Sequence, residues 1–374
     1  MRELTPQLIH SLKHYSKQDF TKDLISGVIV AIIALPLSIA LALASGVSPE
    51  QGLYTAIVAG FLISALGGSK VQIAGPTAAF ATIVAGIVAK NGMEGLAVAT
   101  VLAGIMLILM GLLRMGSMIK FIPYTITTGF TAGIAVTILI GQLKDFFGLT
   151  FTRAPVETME KVEEVARTFH TANWTAAGIG CLALAILIFW PRVFKKVPAS
   201  LIAVIVTAGA VKLLSLPVNT IGDLYTISSA LPRFALPAVS YDTVAAVLPD
   251  AFTIAVLAAI ESLLSAVVAD EMIGARHNSN MELVAQGVGN AASALFGGIP
   301  ATGAIARTAA NIKNGGVSPV AGMVHSVVLL LVLMLLMPYA ALIPMPCIAA
   351  ILFQVAYNMS GWRKVVDVVK HSPK

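Results

Sequence analysis

The sequence predicts an all-α integral membrane protein in which one segment type occurs twice, and three observations carry that prediction. Of 374 residues, 57% are hydrophobic and 11% charged, with a mean hydropathy of +0.90, whereas soluble domains carry about 25% charged residues. The apolar stretches have the length that crosses ~30 Å of hydrocarbon as helix, and none shows the short alternating pattern of an outer-membrane barrel. Finally, residues 72–87, QIAGPTAAFATIVAGI, are echoed by residues 297–312, GGIPATGAIARTAANI. Pairing Pro76 through Thr82 with Ala301 through Arg307 matches a Thr and two Ala.

Each copy opens with Gly and Pro, continues with a Thr and only then becomes helical in character, so each reads as a helix that begins late inside an apolar region. Such a helix leaves its first N–H groups, and the positive end of its dipole, pointing into the protein interior. Two such ends facing each other, Thr77 to Phe80 and Thr302 to Ile305, make an anion site at the midplane. The plainer alternative is that Gly and Pro only loosen two ordinary spans. The occurrence of the pattern in both halves favours the site.

Residues 1–23 are polar and basic, with Leu8, Ile9 and Leu12 suggesting an interfacial segment. The first span covers residues 24–44 and is interrupted by Pro36, which removes a backbone donor and invites a local opening. Spans follow at residues 53–66, 77–90, 96–113 and 124–143. Residues 144–173 form a polar stretch with room for one helix outside the membrane. The sixth and seventh spans cover residues 174–190 and 198–214, and residues 215–248, with three prolines, read as a long surface connection. The second half begins near Pro249 with spans at residues 249–269, 281–296, 303–312, 320–337 and 342–358, about twelve in all.

Lys70, Arg114, Lys120, Arg192, Lys195, Lys196, Arg276, Arg363, Lys364 and Lys370 fall in inner loops if the N-terminus is cytoplasmic, and the short outer loops hold little beyond Lys90. The net charge of +6 therefore reports topology rather than nucleic-acid binding. No compact apolar region with a cleavage site marks a removable signal, so the first span is expected to act as the insertion signal. Cys181 and Cys347 lie inside spans as small packing residues with no metal-ligand partner. Matching the third span with the tenth gives an offset of seven, which predicts fourteen spans. The chain is accordingly expected to be truncated before its last two.

An ionisable side chain in mid-span is a functional candidate by default. Glu261 is the carboxylate deep inside an apolar run, and Ser265 follows one turn later. Together they suit a cation such as Na⁺, or Glu261 alone suits a coupled proton; a purely structural carboxylate bound by helix-terminal N–H groups is the alternative. Arg307, about one turn into the late-starting helix, either adds positive charge to the anion site or pairs and snorkels on the inner side. Asp270, Glu271, Arg276, His277, Asn278 and Asn280 cluster at a turn and read as a solvated or structural network. No HExxH, GxSxG, P-loop or zinc-spaced Cys pair is present, which argues against an enzyme, and no cofactor is expected beyond Na⁺ as a coupling ion.

The stretches IIALPLSIALALASGVSPEQGLY, QIAGPTAAF, IESLLSAVVADEMIGARHNSNMELVAQGVGN and FGGIPATGAIARTAANIKNGGVSP resemble the sulfate permease (SulP) family of anion transporters, related to animal solute carrier family 26. Within it the chain looks closest to the branch of the enterobacterial C4-dicarboxylate transporter. The resemblance implies an inverted seven-plus-seven repeat. A core domain, residues 24–122 and 249–338, moves as an elevator against a gate domain, residues 123–248 and 339–374, which is incomplete here. The family's STAS domain has no counterpart in the sequence, and a homodimer is implied for the full-length protein.

By the same resemblance, substrate is lined by Ser38, Leu41, Thr77, Ala78, Ala79, Phe80, Thr302, Gly303, Ala304, Ile305 and Arg307. The coupling ion, Na⁺ in the bicarbonate members, falls to Glu261, Ser265 and Thr77. Leu37 and Leu41 replace a Gln and an aromatic of many relatives and make that wall more apolar. The implied activity is secondary active transport of a C4-dicarboxylate, sulfate or bicarbonate across the inner membrane, coupled to H⁺ or Na⁺. A nucleobase symporter of the same fold and a passive anion channel are the rivals.

Overall fold

A computed structural model describes residues 4–117, 124–194 and 197–362. Among these residues the chain is mostly helical, with one two-stranded ladder. Contacts divide it into two compact units, Met1–Phe121 with Ser229–Leu335, and Ile122–Ser228 with Leu336–Lys374.

In the first unit, α1 (Gln7–Leu12) precedes α2 (Lys17–Ala44), α3 (Pro49–Leu66), strand β1 (Ala74–Gly75) and α4 (Ala78–Leu112). Helix α2 begins at Lys17, ahead of the predicted residue 24, because Ser16 and Asp19 form a capping box. Ser16 Oγ accepts from Asp19 N at 3.1 Å, and the Asp19 carboxylate accepts from Ser16 N at 3.2 Å. The opening expected at Pro36 is absent, since α2 runs through it as one helix. The predicted third and fourth spans form one helical run broken at Gly92, whose φ of 66° and ψ of −173° suit a residue without a side chain.

The second unit holds α5 (Tyr124–Phe146), α6 (Thr158–Thr168) with a single 3₁₀ turn at Phe169–Thr171, α7 (Trp174–Val193), α8 (Ala199–Leu213) and α9 (Ile221–Leu224). The chain then returns to the first unit through α10 (Tyr241–Ile273), α11 (Ser279–Leu295), strand β2 (Thr302–Gly303), α12 (Ile305–Lys313) and α13 (Val320–Ala340), before α14 (Met345–Ser360) completes the second. In that unit Phe353 packs on Phe146 with ring centroids 4.9 Å apart, and Gln354 donates to Leu187 O at 3.2 Å. Helices α2, α4, α5, α7, α10 and α13 are long and apolar enough to cross a membrane, and α8 and α14 are shorter apolar helices.

The connection predicted over residues 215–248 is shorter than expected. Ser240 Oγ accepts from Thr243 N at 3.1 Å and starts α10 at Tyr241, so Pro249 lies inside the helix rather than at its head. Residues 229–248, expected with the gate segments, pack in the first unit. There the Tyr54 hydroxyl donates to Ala230 O at 2.7 Å and Ala235 N to Leu295 O at 2.8 Å. Cys347 is buried as expected for a packing residue, but Cys181 is exposed. Lys120, Lys195, Lys196, Arg363, Lys364 and Lys370, all used to predict orientation, lie outside the described residues.

Small residues set the spacing of the first unit. A Cβ added at Gly104 of α4 would lie 2.6 Å from Gly287 O of α11, so these helices touch backbone to backbone, as membrane helices do where small residues face each other.

Candidate functional site

The two echoed stretches meet. Strands β1 and β2 pair antiparallel with Ala74 opposite Gly303 and Gly75 opposite Thr302, and Ala304 N extends the ladder to Ile73 O at 2.9 Å. Each strand then feeds a helix: Thr77 precedes α4 and Ala304 precedes α12. The helix starts therefore pair Ala78 with Ile305, two positions away from the pairing that matches Thr with Thr. Thr302 lies in the strand, and its hydroxyl donates to Ala258 O at 3.2 Å instead of standing at the helix start. The predicted start of this helix at Gly303 is corrected in the same way.

Non-helical backbone at membrane depth must find its hydrogen bonds inside the protein, and four polar side chains provide them. Asn290 donates to Ala301 O and accepts from Ala301 N, both at 2.8 Å. Asn311 donates to Val71 O at 2.8 Å, and its Oδ1 accepts from Ser26 Oγ at 2.6 Å. Glu282 accepts from Gly68 N, Ser69 N, Gln72 Nε2 and Gln286 Nε2 at 2.7–3.2 Å. Thr308 Oγ1 accepts from Ile73 N at 3.0 Å. None of these four was singled out from sequence, although each is a polar residue next to or inside an apolar stretch.

The two charged side chains bond to adjacent residues ahead of α4. Thr77 Oγ1 donates to Glu261 Oε2 at 3.0 Å. One residue earlier, Pro76 O accepts from Arg307 Nη2 at 3.2 Å, and the same nitrogen donates to Ser38 Oγ at 3.2 Å. Arg307 is 1% exposed, so it does not snorkel. Its Nε and Nη1 have no hydrogen-bond partner. Room for the guanidinium comes from Gly75, where a Cβ would run into Nη1.

Ser265 is placed differently from expectation: its hydroxyl lies 3.4 Å from Thr308 Oγ1, joining α10 to α12, while Thr77 is the hydroxyl on Glu261. Leu41, Ala78, Ala79 and Phe80 are buried, Gly303 abuts the Gln72 side chain, Ala304 is half-buried, and Ile305 is 46% exposed. The arrangement offers two seats within one unit. One is cationic, a guanidinium with two nitrogens unsatisfied beside the start of α4, where helix N–H groups favour negative charge. The other is anionic, a carboxylate and a hydroxyl that suit a proton or a hard cation. Asp270, His277 and Ser279 form a hydrogen-bonded chain at the turn after α10, at 2.7 and 2.9 Å.

The sequence model described as Sulfate permease family matches residues 20–374. The putative sulfate transporter YvdB of Bacillus subtilis is 47% identical over 96% of this chain and 68% of its own length. The bicarbonate transporter BicA of Picosynechococcus sp. is 33% identical over 94% of this chain and 64% of its own length. The chain thus spans about two thirds of the curated relatives it matches. Among solved structures, the transmembrane domain of a cyanobacterial bicarbonate transporter BicA superposes with a TM-score of 0.88 at 29% identity, covering 100% of this chain and 93% of that one. Murine Slc26a9, an anion transporter in an inward-facing state, shares the fold with a TM-score of 0.89 at 18% identity, over 99% of this chain and 65% of that one.

Proposed function

The chain belongs to the sulfate permease family, and from that premise we propose that it is a multi-pass secondary active transporter of a small inorganic anion, sulfate or bicarbonate. The observation that carries this reading is Arg307: a buried guanidinium with two unpartnered nitrogens at the start of a helix within the membrane-spanning unit. A nucleobase does not call for that charge. Glu261 with Thr77 serves as the seat of the coupled H⁺ or Na⁺. Proximity of the two seats, on consecutive residues, couples their occupancy by charge: a cation at Glu261 offsets the anion at Arg307. The wider reading includes an elevator movement of the first unit, a homodimer, insertion in the inner membrane with a cytoplasmic N-terminus, and C4-dicarboxylates as a further substrate class.

The test is a thermal-shift screen of sulfate, bicarbonate, fumarate, succinate and aspartate, each with and without Na⁺. Stabilisation by sulfate or bicarbonate that disappears in Arg307→Ala supports the reading. Stabilisation undiminished in that variant leaves Arg307 structural and removes the basis for an anion seat there.

A further inference from the structure

His325 on α13 is 0% exposed, and neither ring nitrogen has a hydrogen-bond partner. Buried polar side chains are nearly always satisfied, so such a group calls for an explanation. Its surroundings connect it to the anion seat. A Cβ added at Gly60 of α3 would lie 4.0 Å from His325 Nδ1 and 3.1 Å from Ala74 O of β1. A Cβ added at Gly75, the next residue of β1, would run into Arg307 Nη1 and lie 3.7 Å from Cα of Ala56, one turn before Gly60. Imidazole and guanidinium thus approach the same two-residue strand against one face of α3.

The other charges around this imidazole are committed elsewhere. Helix α13 carries no Asp, Glu, Lys or Arg, and neither do β1 and residues 51–66 of α3. On α2, which packs on α13 at Gly27, the buried carboxylate is Asp23. It is bound by Val317 N, Ser318 N, Ser318 Oγ and Tyr15 Oη. On α10, Glu261 holds Thr77. On α12, Lys313 lies at the far end, and Arg307 is the charge that reaches β1.

A dianion at Arg307 meets only one positive charge, and an unbalanced charge is costly in this low-dielectric interior. We propose that His325 is a proton-binding site linked to the Arg307 seat, so that a dianionic oxyanion such as sulfate enters together with one proton. The proton comes from solvent and adds to a ring-nitrogen lone pair. Guanidinium, imidazolium and dianion then sum to zero. This inference rests on the anion reading above and adds the proton site and the preferred charge of the substrate.

The experiment is calorimetric titration of the purified chain with sodium sulfate between pH 6 and 8, in buffers of different ionisation enthalpy, which counts protons taken up per sulfate. The wild-type chain should take up about one proton, and its sulfate affinity should fall by up to tenfold per pH unit on the alkaline side. In His325→Gln and His325→Asn the count should drop by about one and the affinity should lose its pH dependence. A count preserved in the His325 variants overturns the inference. So does a pH-independent wild-type affinity, which needs no variant to fold. Absence of sulfate binding at every pH removes sulfate from the functional reading, and this inference falls with it.

Discussion

At the scale of single residues, the candidate site rests on Arg307 and Glu261, which share the neighbouring residues Pro76 and Thr77. Arg307→Lys keeps the charge but loses the planar fork that satisfies Ser38 and Pro76 while presenting two further nitrogens. Sulfate affinity should fall roughly tenfold, the equivalent of about 1.4 kcal/mol, by calorimetry; an unchanged affinity would mean that charge alone is read. Outside the spans, Glu164 accepts from Thr152 Oγ1, Thr152 N and Arg153 N at 2.6–3.2 Å. These donors, the Thr152 hydroxyl foremost, hold its carboxyl below the ordinary value of 4.5. A depressed folded value means that the stabilisation is full above 4.5 and is lost as the pH falls through the folded value. Amide exchange across residues 150–168, corrected for its intrinsic pH dependence, should therefore accelerate in acid in the wild type. In Glu164→Gln it should already be fast at pH 7.

Among elements, the two half-helices are built by what precedes them. Pro76 and Thr77 made the start of α4 legible to within a residue, because a proline cannot sit in the helix interior without cost and a Thr favours the position before it. The second start was misplaced by two positions because matching letters, Thr77 with Thr302, were taken for matching geometry. Thr302 is a strand residue bound to Ala258. Nor did the one-turn spacing of Glu261 and Ser265 reveal that Ser265 turns to Thr308. A shared helix face limits which neighbours a side chain can reach, but the partner on another helix decides between them. Burial of Arg307 was equally hidden, since the same letters fit a snorkelling residue. Gly75 and Gly303 can be tested as pieces of this construction. Gly75→Ala forces the guanidinium aside and should weaken sulfate binding more than it lowers stability. Gly303→Ala meets the Gln72 side chain, which Glu282 holds in place, and should cost about 1–3 kcal/mol in unfolding experiments. Equal effects on binding in both variants would show that Gly75 has no special relation to Arg307.

On the scale of the whole molecule, composition made the membrane class and nearly every helix readable, while the assignment of residues 229–248 depended on contacts at Ala230 and Ala235 that no local pattern announces. The proposed activity is also a property of this scale. In proteoliposomes the full-length protein should concentrate sulfate only under an inward H⁺ or Na⁺ gradient, and Glu261→Gln should abolish that accumulation. Movement that only equalises sulfate, with or without a gradient, would identify a channel instead. The ladder between Ala74–Gly75 and Thr302–Gly303 has a further consequence for biosynthesis. Its strands are separated in the chain by more than half of the polypeptide, and at ribosomal rates of about 5–20 residues per second the first waits roughly 10–45 s for the second. During that interval the approach to α4 sits in the bilayer without Ala304, Asn311, Thr308 or Glu282 to take its backbone groups. The backbone of the first half thus gains its partners only once the second half has been made.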